Sequence, residues 1–247
     1  ITYYLLLITY YLLLITYYLL LITYYLLLIT YYLLLITYYL LLITLLTTDH
    51  CPPRRNCPLN TNFMTDSQLH ELKFPIGEYK KTVNPSKEEL AAFISDIHLF
   101  PQRLREATES LTQAQLDTTY RPGGWTIRQV IHHCADSHMN SFIRFKLALT
   151  EDNPTIKPYW EDRWAELVDG KMAIEFSLHI LDGLHTRWTA LLDSLTETEL
   201  KRVFKHPEHS APFKLDEYIG MYAWHSNHHL AHITELKKRK GWHTIKD

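Results

Sequence analysis

Thr126-Ile-Arg-Gln-Val-Ile-His-His-Cys-Ala-Asp-Ser-His-Met-Asn-Ser-Phe-Ile-Arg-Phe-Lys-Leu-Ala-Leu149 is the stretch that decides the fold. Thr126, followed three residues later by Gln129, forms a capping box that opens a helix. Ile127, Val130, Ile131, Cys134, Phe145 and Leu149 then recur at the 3.6-residue helical period and define an apolar face. Cys134 on that face reads as a core thiol. Beside it runs a polar stripe of Gln129, His133, Asp136, Ser137, Asn140 and Arg144; His133 lies on this stripe and His132 does not. A polar stripe flanking a core face is what an internal site between bundle helices requires.

Three more helices extend the pattern. Asn84-Pro85-Ser86 reads as a helix start with Ser86 as N-cap, followed by Leu90, Phe93, Ile94, Ile97, Leu104 and Ala107 at helical spacing. Pro101 is expected to kink or break that helix. Phe74 to Tyr79 reads as an extended start, and Arg121-Pro-Gly-Gly124 as a turn. Asn153-Pro154 and Lys157-Pro158 mark a long connection. A third helix is expected over Ala173 to Leu195, with Phe176, Ile180, Leu184, Trp188 and Leu191 inward. A fourth runs from Leu215 to Lys240 and stops at Gly241. No run alternates like a strand. The fold class is therefore all-α, a four-helix bundle with two connections longer than about ten residues.

The N-terminus has a different origin. Ile1 to Leu42 is Ile-Thr-Tyr-Tyr-Leu-Leu-Leu repeated six times without substitution. The tandem heptanucleotide ATTACTT encodes that heptapeptide, because a seven-base unit returns to frame after seven codons. Residues 1–63 are thus read as a translated repeat with read-through, and the native start is expected near Met64, the first methionine. A coiled coil is disfavoured because the repeat carries no flanking charges. Its length fits a membrane span, but it has no basic flank, and three residues in every seven are Thr or Tyr. Cys51 and Cys57 have neither zinc spacing nor a disulfide framework around them.

Residues 64–247 have the size of one domain. The chain's formal charge is −2, and Asp49, Arg54 and Arg55 contribute +1 before Met64, so this domain carries −3. A mildly acidic domain offers no electrostatic footprint for nucleic acid or an anionic membrane. All of the 15 histidines except His50 fall within it.

Placed at 100° per residue, the fourth helix turns Leu215, Tyr218, Tyr222, Ile233 and Leu236 inward, at about 260° to 320° from Ile219. His225 falls at about 240° and His229 at about 280°, with His232 at about 220° and His228 at the edge at about 180°. His225 and His229 lie four apart on one side of the helix, so their rings can share a metal ion. The alternative assignment is surface histidines, or core histidines hydrogen-bonded to backbone.

Two segments carry a resemblance. Gly123 to Leu147, and Tyr222-Ala-Trp-His-Ser-Asn-His-His-Leu-Ala-His-Ile-Thr-Glu-Leu236, closely resemble the YfiT branch of the DinB superfamily, as does the opening Phe74-Pro-Ile-Gly-Glu-Tyr-Lys80. The resemblance spans about Leu72 to Trp242 and leaves residues 1–63 untouched. It implies a DinB/YfiT-like four-helix bundle holding one divalent metal through three histidines, which match His133, His225 and His229. Some relatives carry Gln in place of His133, and some carry another His where Asn227 stands. The branch is described as metal-dependent hydrolases and as bacillithiol S-transferases, in homodimeric cytoplasmic proteins.

The implied cofactor is one divalent ion, zinc first, with nickel, iron or manganese as alternatives. Three neutral imidazoles leave coordination positions open, as catalytic sites do. The expected function is thiol S-transfer, with a low-molecular-weight, bacillithiol-like thiol activated for attack on a small electrophile. The alternative is a hydrolase that activates water, and a third reading is a non-catalytic, metal-stabilised stress or binding protein. Asp136 is the candidate base, and Asn140 and Arg144 are candidates for an anionic substrate group. Cys134 points to the apolar face and is not expected to act as a nucleophile. No nucleic-acid or membrane partner is expected for residues 64–247.

Overall fold

Helices dominate the computed structural model, which describes residues 2–47 and 64–242. The chain divides into two compact units, Ile1–Asn62 and Phe63–Asp247. The segment with Cys51 and Cys57 lies outside the described residues.

In the first unit the repeat forms one helix, α1 (Thr2–Thr47). Leu and Tyr point to every side of it, and its described side chains are exposed. Thr16, Thr23, Thr30 and Thr37 turn their hydroxyls back onto the carbonyls of Leu13, Leu20, Leu27 and Leu34. Among the described residues, the one stretch apolar and long enough to cross a membrane is Leu12–Leu34.

The second unit begins with a short helix, α2 (Asp66–Lys73), and then α3 (Lys87–Thr108), α4 (Gln113–Leu116), α5 (Ile127–Thr150) and α6 (Glu161–Trp164). A 3₁₀ turn at Val168–Lys171 leads to α7 (Glu175–Asp193) and α8 (Glu197–Leu200). A two-residue hairpin of β1 (Val203–Phe204) and β2 (Phe213–Lys214) precedes α9 (Leu215–Lys240). The four long helices α3, α5, α7 and α9 form the expected bundle. Both α3 and α5 pack against α7 and α9, so α3 sits diagonal to α5 and α7 diagonal to α9, while α5 and α7 are neighbours. Diagonal placement is why the connections from α3 to α5 and from α7 to α9 must be long.

The helix ends follow local chemistry. Ser86 and Thr126 form capping boxes with Glu89 and Gln129, and Gly241 closes α9 at φ 64°, a left-handed value that glycine takes without strain. We expect Thr126→Ala to cost about 1 kcal/mol, seen as a fall of about 2–4 °C in the melting temperature. An unchanged melting temperature would show that α5 is held by its packing alone. Gly220 lets α9 approach α3 closely, since an added Cβ would lie 3.0 Å from the Phe93 ring.

Three expectations are corrected. First, α3 runs through Pro101 without breaking. Proline removes the N–H that would satisfy the Ile97 carbonyl four residues earlier, and the His185 imidazole on α7 donates to that carbonyl instead, at 2.5 Å. Second, α7 presents Leu178, Leu181, His185, Trp188 and Leu192 to the core, whereas Phe176 and Ile180 are exposed. Its inward face includes Ser177, His185 and Thr189, polar residues that hydropathy periodicity places outside. Third, a hairpin exists; its strands are too short to show alternation.

The core has two connected parts, one around Phe100, Ile131, Cys134 and Leu181, the other around Phe145, Trp188, Phe204 and Ile219. Each fully buried Leu, Ile or Phe there contributes roughly 1.5–3 kcal/mol from removal of apolar surface from water. Cys134 is fully buried, and burial, with Asp136 nearby, pushes its thiol up and keeps it un-ionised.

Candidate metal centre

The polar stripe of α5 faces the inward histidines of α9 on the adjacent helix. His133 Nε2 lies 3.4 Å from His225 Nε2. The His229 ring centroid is 4.8 Å from that of His133 and 4.5 Å from that of His225. One nitrogen from each of the three rings falls within 4.8 Å of the other two, close enough to hold a common divalent ion. His229 is buried, and His133 and His225 are partly so.

Burial acts first on all three rings and favours the neutral form. It lowers the His133 pKa from 6.5 to about 4, with His232 adding to the effect. His225 and His229 are driven well below the ordinary value, next by His133 and by His225 respectively. Neutral imidazole is the metal-binding form. The facing Nε2 nitrogens of His133 and His225 fit a cation better than they fit one another. The donor set is all nitrogen, which suits a borderline divalent ion.

The rings open onto a cleft of about 400 Å³. Trp125, Ser137 and Tyr222 line it near the rings, with the Trp125 ring 4.6 Å from His133. Arg144 reaches the same cleft and donates from Nη1 to the Tyr218 hydroxyl at 3.0 Å. Tyr159 and Glu161 come from the connection after α5, and His206, Glu208 and His209 from the hairpin loop. Both Glu161 and Glu208 are exposed.

Of the remaining sequence candidates, Asp136 lines an adjoining cavity of about 260 Å³ that shares His133, Tyr159 and Glu161 with the cleft. Burial, aided by Asp169, raises its carboxyl to about 6. Asn140 turns its amide onto the Asp136 carbonyl at 2.9 Å and borders an outer groove rather than the metal cleft. His228, placed at the helix edge by the wheel, is buried and stacks on Trp224 at 4.4 Å. His232 donates from Nε2 to the Lys73 carbonyl and stacks on Tyr120, which ties it to the protein, while its buried Nδ1 has no partner.

Sequence reasoning missed His138 and His185, which lie behind the cluster. His138 Nε2 is 3.0 Å from His225 Nδ1, and His138 Nδ1 is 2.8 Å from His185 Nε2. A signal was available for His138: it falls four residues after Cys134 and seven before Phe145, in the middle of the apolar stripe. Tyr159, His206 and His209 sit in irregular segments, where no periodicity could point to them.

Comparison with known proteins follows the same lines. The DinB superfamily profile matches residues 96–233. "Putative metal-dependent hydrolase YfiT" of Bacillus subtilis is 54% identical over 172 residues, covering 69% of this chain and 97% of that protein. A Bacillus cereus (strain B4264) protein also named a "Putative metal-dependent hydrolase" is 52% identical over 174 residues, covering 70% of this chain and 100% of its own length. A solved structure of YfiT from Bacillus subtilis, described as having "an unusual four-helix bundle topology", superimposes with a TM-score of 0.68 at 53% identity. That superposition covers 70% of this chain and 99% of the other.

Proposed function

The chain belongs to the DinB superfamily and is an enzyme, and from that premise we propose that it is a divalent-metal-dependent thiol S-transferase. His133, His225 and His229 would hold the ion, with zinc the first choice because imidazole donors without carboxylates suit it. A divalent ion there supplies a field that favours ionisation of a thiol or a water at its open positions.

One observation carries the choice of nucleophile. The cleft wall beside the three rings is Trp125, Ser137 and Tyr222, and the carboxylates lining the cleft, Glu161 and Glu208, are exposed. A thiol, with a free pKa near about 8.5, ionises with far less assistance than water does. A deep wall without a base therefore favours a small thiol, attacking an electrophile held in the outer cleft. Arg144 offers a fixed positive charge in that cleft for an anionic group on either substrate. The half-buried Tyr159 excludes water from one side, and burial, with Tyr222, raises its hydroxyl and keeps it protonated.

A second reading is hydrolysis. It is favoured by the names of the relatives and by Glu161, which could accept a proton from a water activated at the site. Homodimerisation and a cytoplasmic location, implied by the resemblance, belong to the same proposal. The test is to load the protein with zinc and mix it with cysteinyl thiols and a bimane-type electrophile. Thiol transfer that chelation abolishes is the expected result. Turnover of ester or amide panels without thiol would replace transfer with hydrolysis, and bound metal with neither activity would leave a binding protein.

A further inference from the structure

From His225 in the metal cluster a relay of imidazoles runs inward through buried His138 and His185 and ends on a backbone carbonyl. We infer that this relay positions the metal site: it fixes His225 in the tautomer whose Nε2 is bare and holds that nitrogen toward His133 and His229. The inference rests on the metal-site reading alone and is indifferent to whether the nucleophile is a thiol or water.

The polarity of the relay is set at its far end. The Ile97 oxygen can only accept, so His185 Nδ1 must carry a proton. His138 and His185 are almost fully buried, and rings so placed are neutral, with one N–H each. His185 Nε2 is therefore a bare acceptor, and the proton 2.8 Å away belongs to His138 Nδ1. By the same step His138 Nε2 is bare and accepts from His225 Nδ1 at 3.0 Å. His225 is left with its lone pair on Nε2, the atom facing His133 Nε2. Had any ring the opposite tautomer, two N–H groups or two lone pairs would meet inside the core.

What makes the terminal acceptor available is Pro101. An N–H at position 101 would share the Ile97 carbonyl with His185 and would weaken the relay's anchor without removing it. The helix-interrupting residue thus acts on the metal site from another helix, through two histidines. Phe100, Trp188 and Tyr222 pack around His138, with ring centroids 5.2, 5.9 and 5.4 Å away, and close the relay against competing hydrogen-bond partners. His138 is a positioning residue: it touches a ligand, not the ion.

The test uses the full chain, labelled with ¹⁵N-histidine and stripped of metal, with imidazole tautomers read by long-range proton–nitrogen correlation. Nδ1–H on His185, His138 and His225 is expected, the reverse of the form preferred by the free histidine side chain. A proton on Nε2 of His225 would overturn the relay whether or not the protein binds metal. Zinc affinity is then measured by chelator competition. His138→Leu should weaken it about 10–100-fold. His138→Gln, whose amide can both accept and donate, should restore most of it. Equal affinity in His138→Leu and the parent protein, or equal loss in His138→Leu and His138→Gln, would reduce His138 to packing. Pro101→Ala, which leaves every ring in place, should loosen the His185 anchor, populate the other His225 tautomer in part and weaken zinc binding less than His138→Leu does. Unchanged tautomers in that variant would refute the proline anchor.

Discussion

Replacing His225 or His229 by alanine removes bound zinc, with affinity falling by about two to three orders of magnitude, reckoned from the strength of zinc sites shared among their ligands. The two variants differ in mechanism. His229→Ala removes one nitrogen from the cluster and leaves His225 paired with His138. His225→Ala removes a nitrogen and also strands the buried His138 Nε2, so it should lose thermal stability even without metal. Calorimetric titration checks the first point and metal-free melting the second. In the parent protein, zinc at about 1,000 times its dissociation constant should add about 4 kcal/mol of stability. That increment should vanish in both variants. Full stoichiometric zinc in either one would remove the site as described.

The second large effect is acid instability of the metal-free domain. Burial is the leading cause that lowers His133, His185 and His232 from 6.5 to about 4. The unfolded chain binds protons on these rings that the folded chain refuses, so stability rises with pH wherever that difference exists. Above about pH 7 both states are neutral and stability is flat. As pH falls from about 6.5 toward 4, each ring takes away stability, about 2 kcal/mol by pH 5. Three rings together remove about 6 kcal/mol, comparable with the whole stability of a typical domain. Thermal melts in chelator should show a melting temperature at pH 5 more than about 10 °C below that at pH 7.5. A flat profile over that interval would mean that these rings are not held neutral by the fold.

Features governed by neighbours in sequence were legible in the residues alone. Ser86, Thr126 and Gly241 mark the ends of α3, α5 and α9 because capping is decided within one turn. The inward placement of His225 and His229 followed from helix geometry. Features governed by partners on other helices were not legible. The inward face of α7 was misjudged because Ser177, His185 and Thr189 are buried as hydrogen-bonding groups: Ser177 meets His132 at 2.7 Å, and Thr189 donates to the His185 carbonyl. The continuity of α3 through Pro101 depends on a ring from α7 that lies 88 residues from its acceptor. The outer wall of the cleft, with Tyr159, His206 and His209, comes from irregular segments whose course only the packed bundle determines.

Diagonal wiring of the bundle also bears on how the chain acquires its shape during synthesis. Neither α3 nor α5 finds a long-helix neighbour in the other, and α3 packs most extensively against α9, the last helix to be made. A nascent chain emerging from the ribosome therefore makes its first pairing of long helices only when α7 appears and packs against α3 and α5. Contacts distant in sequence close slowly, because the intervening loop must be ordered before they form. The faces of α3 and α5 that meet α9 stay uncovered until α9 has been made, an interval in which exposed apolar surface invites chaperones. The one zinc-cluster histidine on α5, His133, is synthesised first, and it must wait, unliganded, for the pair on α9.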